Sequence, residues 1–462
     1  MRLNRRDWMM GAAAVLAGSS FPAFAWQLPS PETDLPDLTP AQIREDLTFL
    51  EAQWAPGDKS FNHEQRTAFE SAIAEAIARS GTSSAKDLVL DVMRAVAIPR
   101  NGHTAPVIGR FLDTMPIRAW WFPDGLYILS AAPGFAELLG ACIEKFGDMT
   151  AAEALVRVAP YISGTDQRIR YLSAAYLMSP TILRRIGVAS QENDIPLTLR
   201  LRNGTLKSGS LGPAIPDPSD PREPVLYGWY ALVPDEKDKV DRWVHVLDGV
   251  EKHSPGYGRP APVRTLWIGD EASKILYVRS NFLDSKGKDP LADDLLFGVL
   301  QDLVVSKRPR FVIVDLRLNN GGNFLETMLF AQALPRLVPR NGQVFVLVSR
   351  ATFSAALVTA AMLKRSAPDR VTLIGEPMGD EARFWAEPDI KTLPNSKIPV
   401  FYSTKFEDWE RGCSDNPDCY WPAAIFTQGA ISIEPEVKID ESFAEYAAGR
   451  DPVLDAALAR SK

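Results

Sequence analysis

The sequence predicts an α/β protein: a helical N-terminal part, a β-rich middle and a C-terminal core of alternating strands and helices. Three observations carry this. Apolar residues recur at helical spacing in three stretches of the first quarter. Between residues 194 and 262 they alternate singly amid frequent Gly and Pro. From about residue 263, apolar runs of strand length alternate with segments of helix length. The expected boundaries are 26–115, 116–262 and 263–462, behind a leader at 1–25.

The leader is read from Asn4-Arg5-Arg6-Asp7-Trp8-Met9-Met10, a short apolar run to Gly18, and the small residues Ala23-Phe24-Ala25. Paired arginines ahead of such a run resemble a twin-arginine export signal cut after Ala25. The apolar run is short and alanine-rich for a membrane span, and no later segment has that length. The expected location is therefore the periplasm or the exterior, with no integral membrane segment after cleavage.

The first helix is expected from Pro40, capped by Thr39, with Ile43, Leu47 and Leu50 on one face. The second follows Asn62 and carries Phe69, Ile73 and Ile77. The third starts near Ser84 and carries Leu88, Val92 and Val96. In the middle, Leu126–Leu129 is strand-like and Glu137–Ile143 is faintly similar to part of a PDZ-type module. A β-rich connector fits those residues equally. In the core, strands are expected at Ile275–Val278, Phe311–Leu316, Val344–Val348 and Val371–Ile374. Helices are expected at Asp293–Val304, Phe324–Ala333 and Ala355–Lys364.

The chain has 462 residues, a net charge of −7, and ordinary hydrophobic (46%) and charged (24%) content. Three arginines and one aspartate in residues 1–25 leave the remainder more acidic still. An acidic body argues against nucleic acid and anionic membranes as partners, since both select clustered Lys and Arg. Cys413 and Cys419 flank a turn-rich loop that an oxidising compartment permits to close as a disulfide. Cys142 sits in an apolar run and reads as a buried thiol. No His stands at ligand spacing from a cysteine, so neither a metal nor a cofactor is expected.

Three strand-to-helix junctions carry candidate chemistry. Asp315-Leu316-Arg317-Leu318-Asn319-Asn320-Gly321-Gly322-Asn323 places two glycines where main-chain N–H groups can face a developing oxyanion. Ala351-Thr352-Phe353-Ser354-Ala355-Ala356 places Ser354 at a helix start, with the Ala355 amide beside it. Ile374-Gly375-Glu376-Pro377-Met378-Gly379 follows the next strand. Singly, a glycine pair reads as a turn and a lone Ser as a cap.

In that order, these motifs resemble the tail-specific (C-terminal processing) and tricorn family of serine peptidases, over roughly residues 263–462. The resemblance implies a ClpP/crotonase-like core, Ser354 as nucleophile, and an oxyanion hole of Gly321 or Gly322 with the Ala355 amide. Asn101-Gly102-His103-Thr104 is similar to the histidine site of the tricorn-like branch. That makes His103 the candidate general base; a solvent-exposed loop histidine is the plain alternative. Glu376, Glu381 and Glu387 are candidate carboxylates to orient His103, with Glu376 preferred.

The chain also departs from the family pattern. No Lys occurs between Glu376 and Ile390, where the processing branch places its base, and Lys364 is too far along its helix to serve Ser354. Arg383-Phe384-Trp385 stands where distant relatives carry a His. Trp385, Trp409, Tyr420 and Trp421 fit either a cleft wall or core. Two functions are expected: an exported serine-type hydrolase of peptides or proteins, acting through a Ser354 acyl-enzyme, or a catalytically inactive protein of the same fold binding a peptide or apolar ligand.

Overall fold

Thr39, Asn62 and Ser84 start the three N-terminal helices in the computed structural model, each through a capping box. The cap side chain accepts from the third helical residue, whose own side chain accepts from the cap N–H. These are α1 (Pro40–Phe49), α2 (His63–Arg79) and α3 (Ala85–Val96). The structure describes residues 35–108, 111–214, 231–234, 243–258, 261, 263–269, 275–281, 292–305, 309–427 and 429–461. The expected leader lies outside the described residues.

The middle of the chain builds one antiparallel sheet. Its order is β1 (Ile117–Phe122), β2 (Gly125–Ala131), β3 (Cys142–Phe146), β4 (Ile195–Arg200) and β5 (Leu206–Leu211). Short strands Met149–Thr150 and Val244–His245 pair with β3 and β2. This part is less purely β than its sequence suggests. It holds α4 (Ala151–Val158), capped by Thr150, and α5 (Asp166–Tyr176), capped by Thr165. Ile169, Leu172 and Tyr171 of α5 are buried, so its helical face packs with the sheet.

The C-terminal core is a six-stranded sheet. Its strands are β6 (Val263–Ile268), β7 (Ile275–Ser280), β8 (Phe311–Asp315), β9 (Gln343–Val348), β10 (Val371–Gly375) and β13 (Val437–Lys438). Between β10 and β13 run β11 (Arg383–Thr392) and β12 (Pro399–Asp408), an antiparallel hairpin. The sheet order is β13-β10-β9-β8-β7-β6, parallel except at β6. Both faces are covered, which explains strands apolar on both sides. Val312 and Val314 face the layer of α6 (Ala292–Val305), α7 (Leu325–Leu337) and α8 (Ala355–Ser366). Phe311 and Ile313 face α9 (Pro452–Arg460) through Val453, Leu454 and Ala457.

The N-terminal helices do not close a core of their own. Ile43, Leu47, Trp54 and Phe69 share one core with β1–β3 and with Ile398 and Val400 of the hairpin. Trp54 Nε1 donates to Val400 O at 3.2 Å, and buried Asp46 accepts from the Asn395 and Ser396 amides at 2.8 Å each. Each fully buried side chain of Leu or Phe size adds about 1.5–3 kcal/mol. The helical part is thus locked to the hairpin that follows β10. Cys413 and Cys419 form a disulfide, Cys142 is a buried free thiol, and Trp409 is core beneath Phe324. No helix among the described residues is long and apolar enough to cross a membrane.

Candidate active site

Ser354 has φ +54° and ψ −127° and immediately precedes α8. A left-handed backbone is uncommon for any residue but glycine, and such positions concentrate at functional sites. Surrounding bonds hold it there. Phe353 N donates to Asn319 O at 3.1 Å, Thr352 Oγ1 donates to Leu316 O at 2.9 Å, and Val358 N donates to Ser354 O at 3.0 Å. The β8 loop and the β9 loop are therefore stitched side by side.

His103 arrives from the other end of the chain. Its Nε2 lies 2.8 Å from Ser354 Oγ, across 251 positions of sequence. The imidazole is sandwiched between Phe353 at 4.6 Å and Phe384 at 5.2 Å, both nearly parallel to it. Gly102 is required for this stack, because a β-carbon there would meet the Phe353 ring at 2.6 Å. The loop is fixed from below by Asp58. Its carboxylate accepts from Ser60 N at 2.7 Å, Thr104 Oγ1 at 2.7 Å and Ser403 N at 3.1 Å. Asn101 Nδ2 donates to Ser403 Oγ at 2.8 Å. The helical part and the hairpin together set where His103 points.

Asp380 stands behind His103. Its Oδ2 is 3.8 Å from His103 Nδ1, and both atoms are buried with no hydrogen-bond partner among the described residues. Burial drives both groups toward neutrality. It holds His103 down to about 3, with Arg168 adding repulsion, and pushes Asp380 up to about 7. Neutral His103 offers Nε2 as an acceptor when Nδ1 carries the ring proton, which then faces Asp380.

The expected carboxylate does not occupy this place. Glu376 is turned away, paired with Arg350 at 2.7 Å, because Arg350 lies at the end of β9 beside the end of β10. Glu381 is exposed, and Glu387 is half-buried beside Tyr420 and Glu407. Lys364 is bonded to Val371 O, Pro368 O and Glu436, away from Ser354. Asp380 sits one residue after the Gly375–Gly379 motif, but only the chain's path puts that side chain, and not its neighbours, against the imidazole.

Gly321 and Gly322 have φ +103° and +127°, and Gly321 lies against Ser354. Gly321 N–H donates to Asn319 Oδ1 at 2.9 Å. A β-carbon on Gly321 would also meet Ala355 N at 3.1 Å, so the loop and the α8 N-terminus touch. Asn320 adds a bridge to the middle of the chain: its Oδ1 accepts from Arg168 at 2.8 Å and its Nδ2 donates to Tyr171 Oη at 2.8 Å. Arg168 covers the outer face of Phe353 at 3.9 Å. Arg168, Phe353, Phe384 and Asp58 carry no sequence signal of this role, since each acts through a contact between distant segments.

Mature CPAF superposes with a TM-score of 0.58 at 14% identity, over 92% of this chain and 97% of that one. The chain has the fold of CPAF. The complex of mature CPAF with lactacystin gives the same TM-score, 0.58, at 13% identity, over 92% and 98% of the two chains. The photosystem II D1 C-terminal processing protease is also similar, with a TM-score of 0.35 at 13% identity over 87% of this chain and 93% of that one. No family profile and no curated protein sequence matches the chain. The CPAF likeness runs through the helical part and the β-rich middle as well as the core, so the whole described arrangement is an established architecture.

Proposed function

We propose that the protein is a serine-type peptidase that cleaves peptide bonds through an acyl-enzyme on Ser354. The observation that carries this reading is the 2.8 Å contact between His103 Nε2 and Ser354 Oγ on a left-handed serine. His103 takes the Ser354 proton as Oγ attacks the scissile carbonyl, and returns it to the leaving amine. Asp380 opposite Nδ1 stabilises the imidazolium as it forms. The Gly322 and Ala355 amides hold the oxyanion, since the Gly321 amide is engaged by Asn319. No lysine takes part. Peptides or proteins are the substrates, and the N-terminal Arg5-Arg6 signal delivers the chain across the membrane by the twin-arginine route.

The test uses a mixed peptide library read by mass spectrometry, alongside covalent labelling with a fluorophosphonate. Wild type is expected to cleave and to label, and Ser354→Ala to do neither. Folded wild type that neither cleaves nor labels overturns the reading in favour of a ligand-binding role.

A further inference from the structure

The start of α5 touches three of the loops that build the site. Thr165, its cap, donates Oγ1 to Gly379 O at 3.1 Å, next to Asp380. Gly164 packs against the His103 loop, since a β-carbon there would stand 3.5 Å from Gly102 Cα. Arg168 Nη1 donates to Asn320 Oδ1 at 2.8 Å, next to Gly321. The middle of the chain thus meets all three loops between Gly164 and Arg168.

Two features set Arg168 apart from an ordinary surface arginine. Its guanidinium lies 3.9 Å from the centre of the Phe353 ring, and that ring stacks on His103 at 4.6 Å. It also fixes Asn320, whose Nδ2 donates to Tyr171 Oη at 2.8 Å, so the residue before Gly321 is gripped from two points on α5. A planar cation held by a ring and a hydrogen bond keeps little freedom. Its charge reaches both groups behind Ser354: it opposes a proton on His103 and favours loss of one from Asp380. Asp380 also faces neutral His103 at 3.8 Å and the acids Glu381 and Glu407, so positive charge comes to it from Arg168.

We infer that Arg168 is a positioning residue for the Ser354 reaction, seating the glycine loop through Asn320 and setting a fixed positive charge beside Asp380. The inference rests on the serine-peptidase reading. It gives two jobs to separable parts of one side chain. The hydrogen bond to Asn320 bears on kcat, because it holds the loop that receives the oxyanion. The charge bears on the pH at which the rate rises, because it favours the carboxylate form of Asp380.

The test measures kcat and KM across roughly pH 5–9 on the peptide that wild type cleaves fastest in the mixed library, with fluorophosphonate labelling rates alongside. Arg168→Met keeps an apolar stem and removes the charge. It is expected to lower kcat about tenfold or more with KM changed less than about twofold, and to move the rise in kcat/KM up by about half a pH unit or more. Arg168→Lys, charged but without the planar fork, is expected to keep the pH of the rise and to recover only part of kcat. Asn320→Ala is expected to lower kcat at an unmoved pH, and adding Arg168→Met to it to cost less than about threefold more. An unmoved rise in Arg168→Met, or a kcat within about twofold of wild type in that variant or in Asn320→Ala, overturns the inference while the Ser354 reading stands. Wild type that neither cleaves nor labels fails that reading, and the inference with it. If Arg168→Met does not fold, a moved rise in Arg168→Lys or an unchanged kcat in Asn320→Ala overturns the inference.

Discussion

A β-carbon placed on Gly321 would stand 2.7 Å from the β-carbon of Ser354, closer than two such atoms approach. The candidate nucleophile and the glycine loop are therefore in van der Waals contact, and the loop's φ of +103° is open only to glycine at low strain. Gly321→Ala is expected to displace Ser354 and lower kcat about a hundredfold, because misplacement near 1 Å costs that much. Gly81→Ala, where nothing lies within 4 Å, is the matched control and is expected to leave the rate unchanged.

The pH dependence follows from Asp380. Its carboxyl is raised from 3.8 to about 7, so it is protonated below that pH and ionised above it. Only the ionised form stabilises the imidazolium made when His103 takes the Ser354 proton. Thus kcat/KM is expected to rise through about pH 7 and flatten above it. His103, held near 3, stays neutral throughout and adds no second limb. Asp380→Asn is expected to abolish the rise and lower kcat about a hundredfold or more, measured across pH 5–9.

Asp58 gives a test of positioning at a distance. It is buried and ties Thr104, next to His103, to Ser60 and Ser403. Asp58→Ala leaves those donors without an acceptor, at a cost of about 2–4 kcal/mol in urea unfolding. It is expected to lower kcat more than it changes KM. Asp58→Asn, which keeps one acceptor oxygen, is expected to recover part of both.

Glu407 is a stability probe. It is fully buried, and burial together with Glu387 raises its carboxyl from 4.5 to about 8. The folded state then holds a proton that the unfolded chain has released. Stability present below pH 4.5 is lost progressively as pH rises to about 8. Glu407→Gln keeps an acceptor for Trp409 Nε1 and removes that loss. Unfolding midpoints are expected to match wild type near pH 4 and to exceed it at pH 9, by on the order of a few kcal/mol.

The sequence by itself determined the local elements and named candidates for half of the site. Capping residues Thr39, Asn62 and Ser84 start helices where they stand, because a cap is satisfied within four residues. The runs at 311–315 and 344–348 are strands because both faces are buried. Ser354 and the Gly321-Gly322 loop were legible as candidates only through the order of three strand-to-helix motifs, because a lone glycine pair or serine reads as a turn or a cap. The helices Ala151–Val158 and Asp166–Tyr176 were hidden in a stretch read as β, although Thr150 and Glu153 form a capping box there. What only the tertiary structure decided is which distant groups meet. The shared core of α1–α3 with the β11–β12 hairpin brings His103 to Ser354. The turn after β10 sends Glu376 to Arg350 and Asp380 to the imidazole. Sequence spacing fixes neighbours only within a helix or a strand; partners across 251 positions are chosen by packing.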